Sequence, residues 1–353
     1  MAKIISVGTC DAPHKFLQSE VKHLIHNLFS SYPDIDRMIN VFDNSEIKNR
    51  HISVPIEWFK YKHTFSERSS LYREMSVKLT KAAIHSCLEK QDIPISDINC
   101  VILISSTGII TPTLDAILFN ELGFSEHIKR IPIWGLGCAG GAAGISRASE
   151  YVKAYPENNC LLVAVELCSL TFLKDDLTKS NIVAASLFSD GCAAVLVSGE
   201  KSKHYNKRGL KFIDSLSTIY KESLDVMGWD IVDDGFRVLF SRDIPTIVRE
   251  SVRSNIEELL TNNGLKQEDL NYYITHPGGM KVIKAYEESL GLLNGSLKYS
   301  RKVLSEHGNM SSPSVLYVMN EFFLNSEFSK GGYGLLSALG PGFSSELVLF
   351  EAL

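Results

Sequence analysis

No apolar run reaches the length of about eighteen residues that a membrane-spanning helix needs, and the opening residues MAKIISVGTCDAPHKF have neither the charged flank nor the long apolar centre of a signal peptide. Neither a membrane span nor secretion is expected, and a cytoplasmic location is. Blocks of like charge are missing too: 36 Lys and Arg are scattered among 41 Asp and Glu, for a net charge of −5. Nothing basic is dense enough to neutralise a phosphate backbone, so nucleic acid is not an expected partner. No C-x-x-C pair occurs among the seven cysteines, and this odd, dispersed set (Cys10, Cys87, Cys100, Cys138, Cys160, Cys168 and Cys192) fits neither a disulfide framework nor a zinc cage.

What is present is a chain of 353 residues, 44% of them apolar, enough for a large core or two fused halves. A helical period over residues 67–89, with Leu71, Met75, Leu79, Ala82 and Ala83 on one side, alternates with β-rich runs such as CVILISS and CLLVAV. That alternation reads as α/β. One arrangement occurs twice, around SDINCVILISSTG at residues 96–108 and around EDLNYYITHPGG at residues 268–279. From Asp97 to Cys138 in GLGCAGG is 41 residues, and from Asp269 to Asn309 in EHGNMSS is 40. From Asn99 to Cys160 is 61, and from Asn271 to Tyr333 is 62. The spacings predict two similarly folded halves, 1–205 and 206–353, joined near the polar stretch 199–209. In such a pair Gly137-Cys138 and Gly308-Asn309 are equivalent, as are SSTG and THPGG, and the four loops converge with a thiol, an imidazole and a carboxamide.

Cys138 follows a strand-like run and precedes a small-residue segment predicted to be helical. A helix start and a neighbouring imidazole can lower a thiol pKa from about 8.5 to roughly 3.5–7.5, so Cys138 is the candidate nucleophile. The alternative is a buried packing cysteine. His276 ends an apolar strand before Pro-Gly-Gly and can pair with the thiol. His23, His26, His63 and His127 lie in polar contexts; only His307, two residues from Asn309, competes with His276. Asn309 reads either as an N-cap or, opposite Cys138, as an oxyanion donor. Cysteine, histidine and asparagine together suit acyl transfer followed by carbon–carbon bond formation, in which the donors hold a thioester oxygen as it becomes an enolate.

A rival reading takes Gly135-x-Gly137-x-x-Gly140 as a dinucleotide fingerprint, with Glu166 at the end of the next strand as the ribose-binding acid. That motif usually opens its domain, whereas here it lies well into the chain. It also leaves the matching spacing to Gly308-Asn309 unexplained.

GLGCAGG, THPGG, EHGNMSS and ALGPGF at these separations resemble the type III polyketide synthases, the chalcone-synthase-like enzymes of the thiolase superfamily, and the resemblance runs nearly end to end. It implies a five-layered αβαβα thiolase-like fold, a homodimer, and a Cys138-His276-Asn309 triad that loads an acyl-CoA starter and extends it with malonyl-CoA. It implies no metal or redox cofactor. By the same resemblance Phe188 is the gatekeeper between CoA tunnel and cavity. A second family phenylalanine falls at Val238 or Leu239, a departure that points to a wider cavity. Cys168, Thr171, Ser106, Thr107 and Ser311 match cavity-lining positions. Thr111 matches the residue that crosses the dimer interface, and Lys48 and Arg50 match cationic CoA-phosphate contacts. The stretch VMGWD (226–230) and the short loops look like bacterial members, many of which make alkylpyrones or alkylresorcinols, so a long-chain acyl starter and an alkylpyrone product are expected. The competing functions are a ketoacyl-acyl-carrier-protein synthase performing one condensation and a non-catalytic acyl-binding relative.

Overall fold

The computed structural model describes residues 1–240, 244–325 and 332–353. Its nine-stranded sheet runs in the order Leu270–Thr275, Gly332–Gly340, Ser344–Ala352, Leu210–Ile219, Ala2–Asp11, Asp190–Gly199, Asn159–Leu167, Cys100–Ile104, Lys129–Ile133. Read outward from the central pair Leu210–Ile219 and Ala2–Asp11, each half repeats one pattern. The first strand is flanked by the last, then by the one before it, then by the second. All of these contacts are antiparallel except the outermost, which is parallel. The symmetry stops at the rim. Lys129–Ile133 pairs in parallel with Cys100–Ile104 in the first half, and no described strand takes the corresponding place in the second.

Five layers follow from which strand faces are apolar. Asn159–Leu167 and Asp190–Gly199 are buried at every residue, as strands covered on both faces must be. One cover is the helix Phe65–Glu89, which packs on Ala2–Asp11, Asp190–Gly199 and Asn159–Leu167. Its start is fixed by a capping box: Thr64 Oγ1 accepts from the Glu67 N–H, and the Glu67 carboxylate accepts from the Thr64 N–H. The other cover is a central layer made by the helices Gly140–Ala154 and Ser312–Asn325, which touch each other and the strands of both halves. Beyond the second half's strands lie Arg253–Asn262 and Met280–Leu290, sharing a core of Ile256, Leu259, Ile283 and Tyr286. The β-hairpin Met227–Val232 and Gly235–Phe240 and the short pair His14–Leu17 with Asn49–Ile52 stand outside this stack and wall the site.

Glycine makes the central layer possible. A Cβ at Gly141 would lie 2.6 Å from Val315 Cγ1 and press on the Ser312 carbonyl oxygen, so the two central helices touch backbone to backbone only because that side chain is absent. At Gly137, φ is +48° and a Cβ would meet Pro341 Cδ at 2.7 Å. These are the roles of the glycines around Cys138: close packing and a left-handed turn.

Candidate active site

Cys138 lies in the one-turn helix Gly137–Ala139 that leads into the central helix Gly140–Ala154. Asn309 lies just before the second central helix, and His276 just after the strand Leu270–Thr275. All three are buried, and a chain of short contacts gathers them. Cys138 Sγ donates to Ser311 Oγ at 3.5 Å, and the Ser311 N–H donates to Asn309 Oδ1 at 2.8 Å. Asn309 Nδ2 donates to the Gly278 carbonyl at 3.2 Å, and the Gly278 N–H donates to the His276 carbonyl at 3.0 Å. With Oδ1 held by a backbone N–H, the Asn309 amide group has a fixed direction, and it pulls the thiol pKa down through a hydrogen bond. Asn309 is not the N-cap of the helix that follows, because that helix begins at Ser312 and the capping position falls on Ser311. Ser311 takes φ +59°, a left-handed conformation costly for a residue with a Cβ. That turn is what aims its hydroxyl at the thiol.

The electrostatics differ from the expectation of a lowered thiol pKa. Burial pushes the Cys138 thiol up to about 11, and the nearby Glu166 carboxyl adds to the rise, against hydrogen bonds from Ser311 and Asn309 that oppose it. The local helix start does not outweigh loss of water. Burial also pushes His276 down to about 3, so no imidazolium is present to hold a thiolate. Neither His276 ring nitrogen has a hydrogen-bond partner, so the expected Cys138–His276 pairing is absent. Two buried, unsatisfied imidazole nitrogens beside Gly278 are an unfilled demand for a polar ligand.

Glu166 is fully buried and serves no ribose. Its carboxylate accepts from the Ser106 N–H (2.8 Å), Thr107 Oγ1 (2.8 Å) and Ser312 Oγ (2.9 Å), yet burial still raises it to about 7. Ser106 Oγ accepts from the Gly137 N–H at 3.0 Å, and Thr107 Oγ1 accepts from the Leu167 N–H at 2.8 Å. Ser106 and Thr107 therefore lock Glu166 and the turn before Cys138, and neither lines the cavity described next. The sequence reading missed this network; its trace is the concentration of hydroxyls in SSTG and NMSS around a carboxylate on an otherwise apolar strand.

A cavity of about 50 Å³ opens between the His14–Leu17/Asn49–Ile52 region and the hairpin, lined by Cys168, Thr171, Phe188 and Val238 among mostly apolar residues. Phe188 pairs through its backbone with Asn309, since the Asn309 N–H donates to Leu187 O and the Ser189 N–H to Asn309 O, both at 2.8 Å. That bridge sets Phe188, and with it one wall of the cavity, beside Asn309. The departure at Val238 and Leu239 does not leave an aromatic gap. Phe240 meets the Phe188 ring edge-on at 6.2 Å and Trp229 lies 5.9 Å from it, while Leu239 is half-buried and outside the lining. Arg50 also lines the cavity instead of meeting solvent: its Nη1 donates to Gln18 Oε1 and the Ala185 carbonyl, and burial lowers it to about 10. As placed it is not an exposed contact for a CoA phosphate; Lys48 is exposed. Thr111 is exposed as well, between exposed Ile109 and the edge strand Lys129–Ile133.

Comparison with known proteins agrees with this geometry. The family model for the N-terminal domain of chalcone and stilbene synthases matches residues 1–201, and that for the C-terminal domain matches residues 213–353. A putative chalcone synthase of Bacillus subtilis is 46% identical, covering 99% of both chains. The 1,3,6,8-tetrahydroxynaphthalene synthase of Streptomyces peucetius is 34% identical over 99% of this chain and 92% of its own. Among solved structures, 1,3,6,8-tetrahydroxynaphthalene synthase from Streptomyces coelicolor, a bacterial type III polyketide synthase, superposes with a TM-score of 0.93 at 29% identity, covering 99% of each chain. The chain has the thiolase fold and belongs to the chalcone and stilbene synthase family, the acyl-transferring, condensing type III polyketide synthases.

Proposed function

We propose that this enzyme loads a long-chain fatty acyl group from CoA onto Cys138, extends it with two or three malonyl-CoA units and closes the product to an alkylpyrone, acting as a homodimer in the cytoplasm. What supports an alkyl starter is the apolar wall of the cavity beside Phe188, formed by Val21, Leu24, Ile25, Ile52 and Phe59; at about 50 Å³ it takes only a few methylene groups, so a long chain has to extend beyond it. The dimer is supported by the one-sided edge strand Lys129–Ile133, with Ile131 and Trp134 37% and 49% exposed.

The chemistry starts from a neutral thiol and a neutral imidazole. As Cys138 Sγ attacks the acyl-CoA carbonyl, its proton passes through His276 to the CoA sulfur in step with breakage of the carbon–sulfur bond, so no free imidazolium has to form. In malonyl-CoA the bond to the carboxylate breaks, CO2 leaves, and the electron pair becomes an enolate. The enolate oxygen is held by His276 and by Asn309 Nδ2, donors whose loss typically costs ~2.7–4 kcal/mol each. The enolate carbon attacks the Cys138 thioester and expels the cysteine sulfur. All stabilisation comes from protein donors, so the reaction calls for no metal or redox cofactor.

Mass spectrometry of products from malonyl-CoA with starters graded from acetyl-CoA to palmitoyl-CoA tests this reading. Alkylpyrones from the longer starters are expected. A single β-keto product would instead favour the one-condensation synthase, and an aromatic product without an alkyl chain, of the kind for which the Streptomyces relatives are named, would replace the fatty starter.

A further inference from the structure

Three side chains that the reaction above does not use meet where the two halves join. Asp11 ends the strand Ala2–Asp11, His51 sits in the strand Asn49–Ile52, and His307 is the last residue of the helix Lys298–His307. One ligand atom from each lies within 4.8 Å of the other two. His307 Nδ1 is 3.0 Å from Asp11 Oδ1, His51 Nδ1 is 3.8 Å from Asp11 Oδ2, and the two imidazole rings stack at 5.3 Å with 29° between their planes. Despite its short distance to Asp11, His307 Nδ1 is buried without a properly aligned hydrogen bond.

Two imidazole nitrogens and a carboxylate oxygen form a donor set that zinc-class divalent ions accept. Donors about 2.1 Å from a tetrahedral ion stand roughly 3.4 Å apart, and the carboxylate–imidazole distances, one to each Asp11 oxygen, fall on either side of that value. The surroundings hold the donors in place, as outer groups around metal sites do. Tyr317 Oη donates to Asp11 Oδ1 at 3.1 Å, and its ring packs edge-on to His307 at 5.1 Å. The backbone of His51 is clamped by Ser189 Oγ, which accepts from its N–H (2.9 Å) and donates to its carbonyl (2.8 Å). Asp11 is partly exposed, which leaves a path for an ion and room for water as a fourth ligand.

We propose that Asp11, His51 and His307 hold one divalent metal ion of the zinc class, completed by water, that pins the first half of the chain to the segment carrying Asn309. Two ligands come from the first half and one from the second, and His307 is separated from Asn309 only by Gly308. The ion touches no reacting atom; it fixes the turn from which Asn309 projects, so the three ligands are positioning residues. The site stands on these side chains alone and does not depend on which starter the enzyme takes.

The test uses the full-length protein freed of metal by a chelator and titrated calorimetrically with zinc chloride, with cobalt(II) absorption as the spectroscopic readout. One equivalent is expected, bound at micromolar concentration or tighter, with a rise in melting temperature on zinc addition and cobalt d–d bands free of thiolate charge transfer. His307→Phe, which keeps a ring against Tyr317, and Asp11→Asn, at a partly exposed site, should each weaken zinc at least tenfold, with folding checked by circular dichroism. The proposal falls if wild type binds less than half an equivalent, if both variants bind as tightly as wild type, or if cobalt reports a cysteine ligand.

Discussion

Burial favours the uncharged forms of both Cys138 and His276 near neutral pH. Burial holds Cys138 at about 11 and His276 at about 3. Alkylation of Cys138 by iodoacetamide, followed by peptide mass spectrometry, should therefore quicken about tenfold per pH unit from 7 to 9, since the thiolate fraction grows in that proportion. A rate already flat across that range would mean a thiolate formed in advance. His276→Ala should leave the profile unchanged, because neither His276 ring nitrogen is hydrogen-bonded to the thiol. Glu166 supplies a second pH signature. Its folded value of about 7 lies above the ordinary 4.5, so between the two the folded chain binds more protons than the unfolded one, and stability falls as pH rises from about 4.5 to about 7. Urea unfolding at stepped pH should show that fall reduced in Glu166→Gln by one group's share. A wild-type slope in the variant would show that Glu166 is not the titrating group.

Among the elements, the contact between the central helices is the least forgiving. Gly141→Ala would force Gly140–Ala154 away from Ser312–Asn325, at a cost of about 1–3 kcal/mol for overpacking. Because Cys138 precedes one helix and Asn309 the other, turnover should fall more than the melting temperature alone accounts for, which steady-state kinetics well below the melting point would detect. The convergence of these two helix starts is legible in the sequence, since near-equal spacings from Asp97 to Cys138 and from Asp269 to Asn309 imply equivalent loops. The break in that symmetry is not. Where the first half inserts the strand Lys129–Ile133, the second runs through the helices Met280–Leu290 and Lys298–His307, and a run of five residues or so carries too weak a period to announce its absence. The thiol pKa is illegible for a related reason: a helix start is a local feature, whereas the burial that outweighs it depends on the folded surroundings of Cys138. The hydrogen bonds from the Ser106 N–H and Thr107 Oγ1 to Glu166 are likewise not legible in the sequence, because they join segments distant along the chain.

For the whole molecule, the proposed dimer makes the exposed edge strand its interface. Ile131→Lys places a charge on the apolar edge beside Trp134, and light scattering should show the mass falling from twice 39.3 kDa to a single chain. A wild-type protein that already runs as one chain would remove the dimer from the proposal. The strand order has a further effect on how the chain is made. Among the described residues Ala2–Asp11 pairs only with Asp190–Gly199 and Leu210–Ile219, with Ala2 opposite Gly199 and Phe212. During synthesis this strand therefore waits until Asp190–Gly199 has followed it before either of its edges is hydrogen-bonded. Its contact order is high, its folding correspondingly slow, and the nascent chain is most prone to aggregation in that interval.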